Sequence, residues 1–339
     1  MTGTLFAQGP GDQRWLRVED PSAAAACRGA ALMLADRLQF PEARTNQLVL
    51  AVTEAASNLH KHASQGSMLL RIGRGDDKPG IEMVTIDAGP GLRDAGSALR
   101  DGHSTSGTLG IGLGAIRRLA DFCDLYSVPA RGTALVARFW PGPHSKTVRY
   151  AGLARPITGE TECGDIFGVA EADGLLTGVL CDGLGHGPLA ARAAAEAVSA
   201  VLADPVGEPA MLLERAHRRM AHTRGGAVAV VQVAGPVLQP VVRFAGLGNV
   251  AAVILAGGVR KGMLSVPGIA GHHAHAIRQF EYTAPPDAAI VLHSDGISGR
   301  WEPDAMPGLA ARDPLVIAAT LFAQAGSRRD DAGVLVLKP

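Results

Sequence analysis

Leu175-Leu176-Thr177-Gly178-Val179-Leu180-Cys181-Asp182-Gly183-Leu184-Gly185-His186-Gly187 is an apolar run that ends on an acid and then on alternating glycines. A short apolar run bounded by turn residues reads as a buried strand, and Asp182 falls where that strand must leave its sheet. Three further strands carry an acid at one end. Asp295 closes Ala289-Ile290-Val291-Leu292-His293-Ser294, Asp330 stands just before Ala332-Gly333-Val334-Leu335-Val336-Leu337, and Asp165 precedes Ile166-Phe167-Gly168-Val169-Ala170. One strand-terminal acid is ordinarily a turn residue. Four of them, each beside a core-like strand, form a set of hard oxygen donors of the kind Mg²⁺ and Mn²⁺ prefer. Two such ions supply a water nucleophile for in-line attack on phosphorus and spread the developing charge.

Around these acids, short strand candidates dominate the second half: 148–153, 165–171, 175–182, 227–233, 241–245, 250–255, 277–283, 288–293 and 332–337. Helical periodicity marks 188–203, 209–222 and 313–324. Many strands with helices between them predict two stacked sheets flanked by helices. Pro141-Gly142-Pro143-His144-Ser145-Lys146 lacks a periodic apolar face and reads as a linker. The spacing therefore predicts two domains, 12–140 and 148–338, joined by 141–147. In the first, apolar residues recur at helical spacing over 23–38 and 43–63, so two helices should open the fold. Strands are expected at 68–73, 81–87, 124–128 and 133–139, with a helix at 112–121. That is a small α/β sandwich with its helices on one face.

The first half carries a different chemistry. Glu54 and Asn58 lie four apart on the second helix, so a carboxylate and an amide share one side of a helix that Leu48, Val52, Ala55 and Leu59 would otherwise bury. Asp87 ends an apolar strand and is followed by Gly89 and Gly91, which let backbone approach a ligand closely. Gly107-Thr108-Leu109-Gly110-Ile111-Gly112-Leu113-Gly114 runs into a helix from Ala115 to Asp121, and glycine amides at a helix start can cradle phosphate oxygens. The segment before it, Asp101-Gly102-His103-Ser104-Thr105-Ser106, is polar and not a strand, which excludes a Rossmann βαβ unit.

Glu54 with Asn58, Asp87-x-Gly89-x-Gly91, Gly107 to Gly114 and Gly132-Thr133 stand in the order of the four ATP-site boxes of the GHKL superfamily. Over residues 12–140 the sequence resembles the bacterial anti-sigma-factor serine kinases. The resemblance implies that Asn58 holds Mg²⁺, Glu54 orients or deprotonates the attacking hydroxyl and Asp87 reads adenine. Gly107, Leu109, Gly110, Gly112 and Gly114 would close over the triphosphate of ATP, and Thr133 would fix the Asp87 end of the site. Such a pair of residues is equally compatible with slow ATP hydrolysis, nucleotide sensing or sequestration of a partner.

In the second half, Gly159 to Asp165, Asp182 to Gly187, Ser294-Asp295-Gly296 and Asp330-Asp331-Ala332 resemble the PPM-type (protein phosphatase 2C-like) fold in its SpoIIE form, over residues 147–338. The implied roles are Asp165 and Asp182 bridging or holding two Mn²⁺ or Mg²⁺ ions, with the Gly183 carbonyl as a further ligand and Asp295 and Asp330 completing one shell. Asp331 is the alternative to Asp330, since strand alternation lets only one of the pair face the ions. The family pattern commonly has Thr or Ser where Gly333 stands. The fusion implies a kinase and a phosphatase opposing one another on anti-sigma antagonist (STAS-type) proteins, with a homodimer left open.

Composition narrows the alternatives. Lys and Arg equal Asp and Glu at 32 each, so there is no basic field to hold nucleic acid. No apolar stretch is long enough to span a bilayer, and no basic-then-apolar leader is present, so the expectation is a cytoplasmic protein. Cys27, Cys123, Cys163 and Cys181 form no C-x-x-C pair and read as reduced, mostly buried thiols. His272, His273 and His275 lack zinc-ligand spacing and read as a mobile surface flap. His186 is expected either to orient phosphate or a water, or to cap the helix after it. Gly246-Leu247-Gly248-Asn249 reads as a structural turn. His293-Ser294-Asp295 cannot be a hydrolase triad, because consecutive strand residues face opposite ways.

Overall fold

Two short strands, β1 (Thr4–Ala7) and β2 (Trp15–Arg17), precede the first helix, where the apolar pattern predicted that helices would open the fold. Three or four residues are too few for an alternation to show, and both strands form against longer partners. The computed structural model describes residues 4–9, 14–75, 78–98, 112–144, 148–236, 238–274 and 276–339. It divides into a unit of Gln13–Val148 and a unit of Arg149–Pro339 to which the chain up to Asp12 belongs. Among the described residues no helix is long and apolar enough to cross a membrane.

The first unit continues with α1 (Ala23–Arg37), α2 (Glu42–His62), β3 (Ser67–Gly75), β4 (Lys78–Ile86), α3 (Ala95–Ala98), α4 (Gly112–Leu119), β5 (Phe122–Ser127) and β6 (Thr133–Phe139). Pro41 fixes the backbone just ahead of α2, as its ring requires at a helix start. The strands form one antiparallel sheet in the order β2-β3-β4-β6-β5. Cys27 and Ala31 of α1, Leu48, Val52 and Ala56 of α2 and Ile116 of α4 pack on Met68, Leu70, Ile81, Met83, Leu135 and Phe139. The 3.6-residue stripe of the helices thus meets the two-residue alternation of the strands. Arg44 ties α2 to the far end of α4, donating to the Leu119 carbonyl and pairing with Asp121.

On the sheet itself, register sets Arg71 opposite Glu82 and Glu82 opposite Arg138. The Glu82 carboxylate is held by Arg71 at 2.7 Å and Arg138 at 2.9 Å. Burial alone would raise its pKa, but the two guanidiniums reverse the effect and hold it below the ordinary value.

The second unit comprises β7 (Tyr150–Arg155), β8 (Asp165–Ala172), β9 (Leu175–Gly183), α5 (Pro188–Leu202), α6 (Pro209–Arg219), β10 (Gly226–Ala234), β11 (Val241–Leu247), β12 (Ala251–Ala256), β13 (Val259–Met263), β14 (Gly268–Ile269), β15 (His273–Ala274), β16 (Phe280–Thr283), β17 (Ala289–His293), α7 (Pro314–Ala325) and β18 (Ala332–Leu337). Its main sheets run β1-β8-β9-β10-β11-β16 and β13-β12-β17-β18-β7. Phe167, Leu180, Val231 and Phe244 of one sheet meet Ile254, Leu292, Leu335 and Leu337 of the other. The opposite face of the first sheet carries α5 and α6, through Ile166, Val179, Val198, Leu213 and Val230. This is the predicted pair of sheets with helices outside.

β1 is the unexpected member. It pairs antiparallel with β8, setting Phe6 opposite Val169, and the Phe6 ring lies 5.9 Å from that of Phe167. The sequence-based division began at residue 12 and left this segment in neither domain. The first unit is thus an insertion between β1 and β7 of the second. Elsewhere the expected strand at 277–283 is confined to 280–283, and the helix expected over 209–222 ends at Arg219 with a 3₁₀ turn over Met220–His222.

Candidate functional site

In the second unit, a two-residue turn decides where the acids go. Asp173 and Gly174 join β8 to β9 with φ of 51° and 75°, the left-handed pair of a tight hairpin that an Asp-Gly sequence favours. With Ala172 opposite Leu175, the antiparallel register runs back to set Asp165 opposite Asp182. Directly opposed residues share a face, and this face also carries Phe167 and Leu180, which point between the two sheets. Both acids therefore lie at one end of the space between them. At the same end, β17 leads into Ser294 and Asp295 and β18 begins just after Asp330 and Asp331. Ser294 donates its backbone N–H to the Gly333 carbonyl and accepts from the Gly333 N–H on Oγ, at 3.1 and 2.9 Å.

The electrostatics are dominated by gathered negative charge. Asp165 is fully buried, and neither carboxylate oxygen has a hydrogen-bond partner of good geometry among the described residues. Burial pushes its pKa well above the usual range, and Asp182, Asp331 and Asp295 push it further, against the pull of the Ser294 hydroxyl. Asp182 is raised to about 7, first by burial and then by Asp295, Asp330 and Asp331. Asp295 is raised by burial and by Asp330. Among the described residues no three such side chains already close around a single point; the acids form an open cluster. A buried carboxylate with several like-charged neighbours and no more than a hydroxyl beside it is costly unless a cation joins it, so the donor set fits divalent ions.

The two adjacent acids have different surroundings. Asp331 is buried, accepting from the Ile157 N–H at 2.7 Å and the Gly164 N–H at 2.8 Å, and thereby fastens the loop ahead of β8 to the start of β18. Asp330 is exposed and acts on both Asp182 and Asp295. Gly183 is fixed by a close approach, since a Cβ there would stand 2.1 Å from the Ala190 carbonyl of α5. At Gly333, where a side chain was expected from the family pattern, a Cβ would lie 3.0 Å from that of Asp165; the buried acid takes the room.

Two residues around the cluster make contacts their sequence did not suggest. Asn249, read as part of a turn, donates from Nδ2 to Asp295 Oδ2 at 2.6 Å. His186 does not cap α5: its Nδ1 lies 2.9 Å from Glu160 Oε1, and the residue at the cap position is Gly187. His272 lies 3.1 Å through Nε2 from the Thr223 carbonyl, and His273 lies in β15 opposite Ile269; both are exposed. His275 lies outside the described residues. Cys27, Cys163 and Cys181 are buried free thiols and Cys123 is partly buried.

In the first unit, Glu54 and Asn58 occupy the C-terminal half of α2. The Asn58 amide nitrogen is buried with no partner among the described residues. A Cβ on Gly112, at the start of α4, would come within 3.8 Å of it. Gly112 and Gly114 lie inside α4 rather than in a loop before it, because the helix begins at Gly112. Gly107, Leu109 and Gly110 lie outside the described residues. Asp87 leaves β4 with its N–H donated to the Thr133 carbonyl at 3.0 Å and its Oδ1 accepting from Gly89 at 2.7 Å. Burial raises its pKa against the pull of those amides. The turn is locked from outside: Gly132 (φ 83°) brings its Cα so close that a Cβ would stand 2.0 Å from the Asp87 carbonyl. Ser127 Oγ accepts from the Leu92 N–H at 2.8 Å and lies 2.9 Å from Thr133 Oγ1. Ser127 gave no signal in the sequence; the pairing of β5 with β6 sets it opposite Thr133, where its hydroxyl also reaches the Leu92 N–H. An orphaned amide facing a helix start, with a half-buried acid at a glycine-opened strand end, fits a nucleotide and its Mg²⁺.

These two arrangements define two classes, a histidine kinase-like ATPase fold and a PPM-type phosphatase fold, on one chain. The model of the histidine kinase-like ATPase domain matches residues 18–139. The chain belongs to the family of the serine/threonine-protein kinase RsbT of Bacillus subtilis, with which it is 32% identical over 129 residues, 38% of this chain and 97% of that protein. Among solved structures, a chain from work on the bacterial stressosome as a modular system adapted to control secondary messenger signalling is 27% identical with a TM-score of 0.51, covering 57% of this chain and all of that one. RsbX, solved in complex with magnesium, has a TM-score of 0.50 at 19% identity, covering 57% of this chain and 96% of its own, a likeness of fold.

Proposed function

We propose that the chain is a bifunctional signalling protein, an ATP-dependent serine kinase-like unit joined to a Mg²⁺- or Mn²⁺-dependent phosphoserine/phosphothreonine phosphatase, with a STAS-type antagonist protein as the shared substrate. The observation that carries this reading is the uncompensated cluster of Asp165, Asp182, Asp295 and Asp330 on the same chain as an RsbT-related ATP site.

In the phosphatase unit, Asp165 and Asp182 with the Gly183 carbonyl would hold the ions, and Asp295 and Asp330 would complete one shell. When bound, the ions supply charge neutralisation and an activated water. Asp331 serves as the clasp beneath, because its oxygens already hold two backbone amides. Asn249 aims Asp295. In the kinase-like unit, Asn58 would hold Mg²⁺, Asp87 would accept from the adenine amino group, and Glu54 would orient the acceptor hydroxyl, a division of labour that suits a reaction governed by positioning and electrostatics. Placing both units on one chain raises their effective concentration on a common partner.

The test incubates the full chain with labelled ATP and a STAS-type protein, comparing wild type with Asp182→Asn. Labelled partner should accumulate only in the variant. Absence of label in both, with nucleotide still bound, would reduce the first unit to a sensor or a sequestering module.

A further inference from the structure

The phosphatase reading leaves the phosphate itself without a positively charged side chain, and the loop that joins α6 to β10 provides one. Arg224 is exposed, and among the described residues it makes no ion pair or side-chain hydrogen bond. Its Nη1 stands 3.2 Å from where a Cβ on Gly185 would be. Gly185, with φ of 92°, lies three residues after Asp182, so the guanidinium rests over the bare backbone of the loop that leaves the metal-ligand strand. Two links hold the loops together: the Leu184 N–H donates to the Gly225 carbonyl at 2.9 Å, and Gly226 pairs with Gly183 in the β9–β10 register.

The segment bearing Arg224 is built stiffly. Thr223 Oγ1 donates to the Met220 carbonyl at 2.7 Å and accepts from the Gly225 N–H at 3.0 Å. Gly226 and Ala270 exchange backbone hydrogen bonds at 3.2 and 2.8 Å, and His272 lies against the Thr223 carbonyl. The other cation-forming side chain beside this loop, His186, is engaged by Glu160. A rigid segment that presents an uncommitted guanidinium over the loop leaving Asp182 can supply what the acids cannot: divalent ions would neutralise a phosphomonoester from one side, and a planar fork of donors would take its oxygens from the other.

We infer that Arg224 binds the phosphoryl oxygens of the phosphoserine or phosphothreonine substrate and of the phosphate product. This rests on the phosphatase reading above. The test uses the Mn²⁺-loaded full chain with p-nitrophenyl phosphate, a phosphoserine peptide and inorganic phosphate. Arg224→Ala should raise KM for both substrates and Ki for inorganic phosphate at least tenfold, with kcat changed less. Calorimetric Mn²⁺ affinity should stay at the wild-type value, and Arg224→Lys should recover part of the loss. If wild type shows no Mn²⁺-dependent hydrolysis, the phosphatase reading fails and the role of Arg224 fails with it. If wild type is active and Arg224→Ala keeps KM for p-nitrophenyl phosphate and Ki for phosphate within twofold, Arg224 alone is overturned. A rise in KM confined to the peptide would overturn it as well, making Arg224 a contact for the partner's polypeptide.

Discussion

Asn249 holds Asp295: the amide of a residue at the mouth of β12 donates at 2.6 Å to the carboxylate that follows β17. Register makes the meeting unavoidable, since Ala251 lies opposite His293 and the residues just beyond each strand end face one another. Groups that orient a metal ligand typically contribute 10–100-fold to affinity or activity. Asn249→Ala should therefore weaken Mn²⁺ binding by about that factor in a calorimetric titration while leaving the circular dichroism of the fold unchanged. Asn249→Asp should be worse, because it adds a like charge.

The acid cluster makes a metal-free chain pay for charges that cannot be satisfied. Asp182→Asn should abolish phosphate release from a phosphopeptide, and it should also raise the melting temperature in the presence of chelator, because one of the mutually repelling carboxylates becomes neutral. For a unit of this size each 1 kcal/mol gained is worth about 2–4 °C. Mn²⁺ should stabilise wild type, by roughly 2.7 kcal/mol at a hundred times its Kd, and stabilise the variant much less. Equal stabilisation of both by the ion would place its site elsewhere.

Glu82 between Arg71 and Arg138 makes the kinase-like unit sensitive to acid. Its folded pKa lies below the unfolded value, so the stability it contributes is complete above the ordinary carboxylate pKa, about 4.3, and is lost as pH falls through the depressed folded value. Glu82→Gln leaves two guanidiniums facing an amide and should cost about 3–5 kcal/mol at neutral pH. Thermal unfolding of both proteins across pH should show the gap narrowing only in acid; a gap independent of pH would mean that the carboxylate's charge is not what the arginines hold.

Gly132 is the tightest point of the nucleotide site. With φ of 83° and a Cβ position 2.0 Å from the Asp87 carbonyl, Gly132→Ala has to push the Asp87 turn away, combining strain of about 1–3 kcal/mol with displacement of the carboxylate proposed to accept from adenine. ATP affinity, followed by fluorescence of a labelled analogue, should fall at least tenfold. Asp87→Asn should lower affinity comparably without the loss of stability, which separates the chemistry of the acceptor from the shape of the turn.

Much of this was legible in the residues. Runs such as Ala289–His293 and Ala332–Leu337 are continuous because β17 and β18 are buried on both faces, and they were read almost to the residue. β13 was missed because Val259-Arg260-Lys261-Gly262-Met263 is an edge strand, mostly exposed, with charges where an apolar alternation would be. α4 was placed late in one reading because glycines at 112 and 114 look like loop residues, whereas here they sit within a helix that packs close to Asn58. The roles of Asn249, Asp331 and Arg224 were hidden for another reason: each depends on a partner from a distant stretch, and only the pairing of strands brings the two together.

The insertion of one unit within the other also sets an order of events on the ribosome. β1 emerges first, yet its partner β8 is not made until the whole kinase-like unit has been translated. Since domains fold as units while synthesis proceeds, the inner one has all its strands while β1 still waits unpaired. The nascent chain should therefore complete the sheet of the first unit early, and the sheet that takes in β1 can close only late in synthesis.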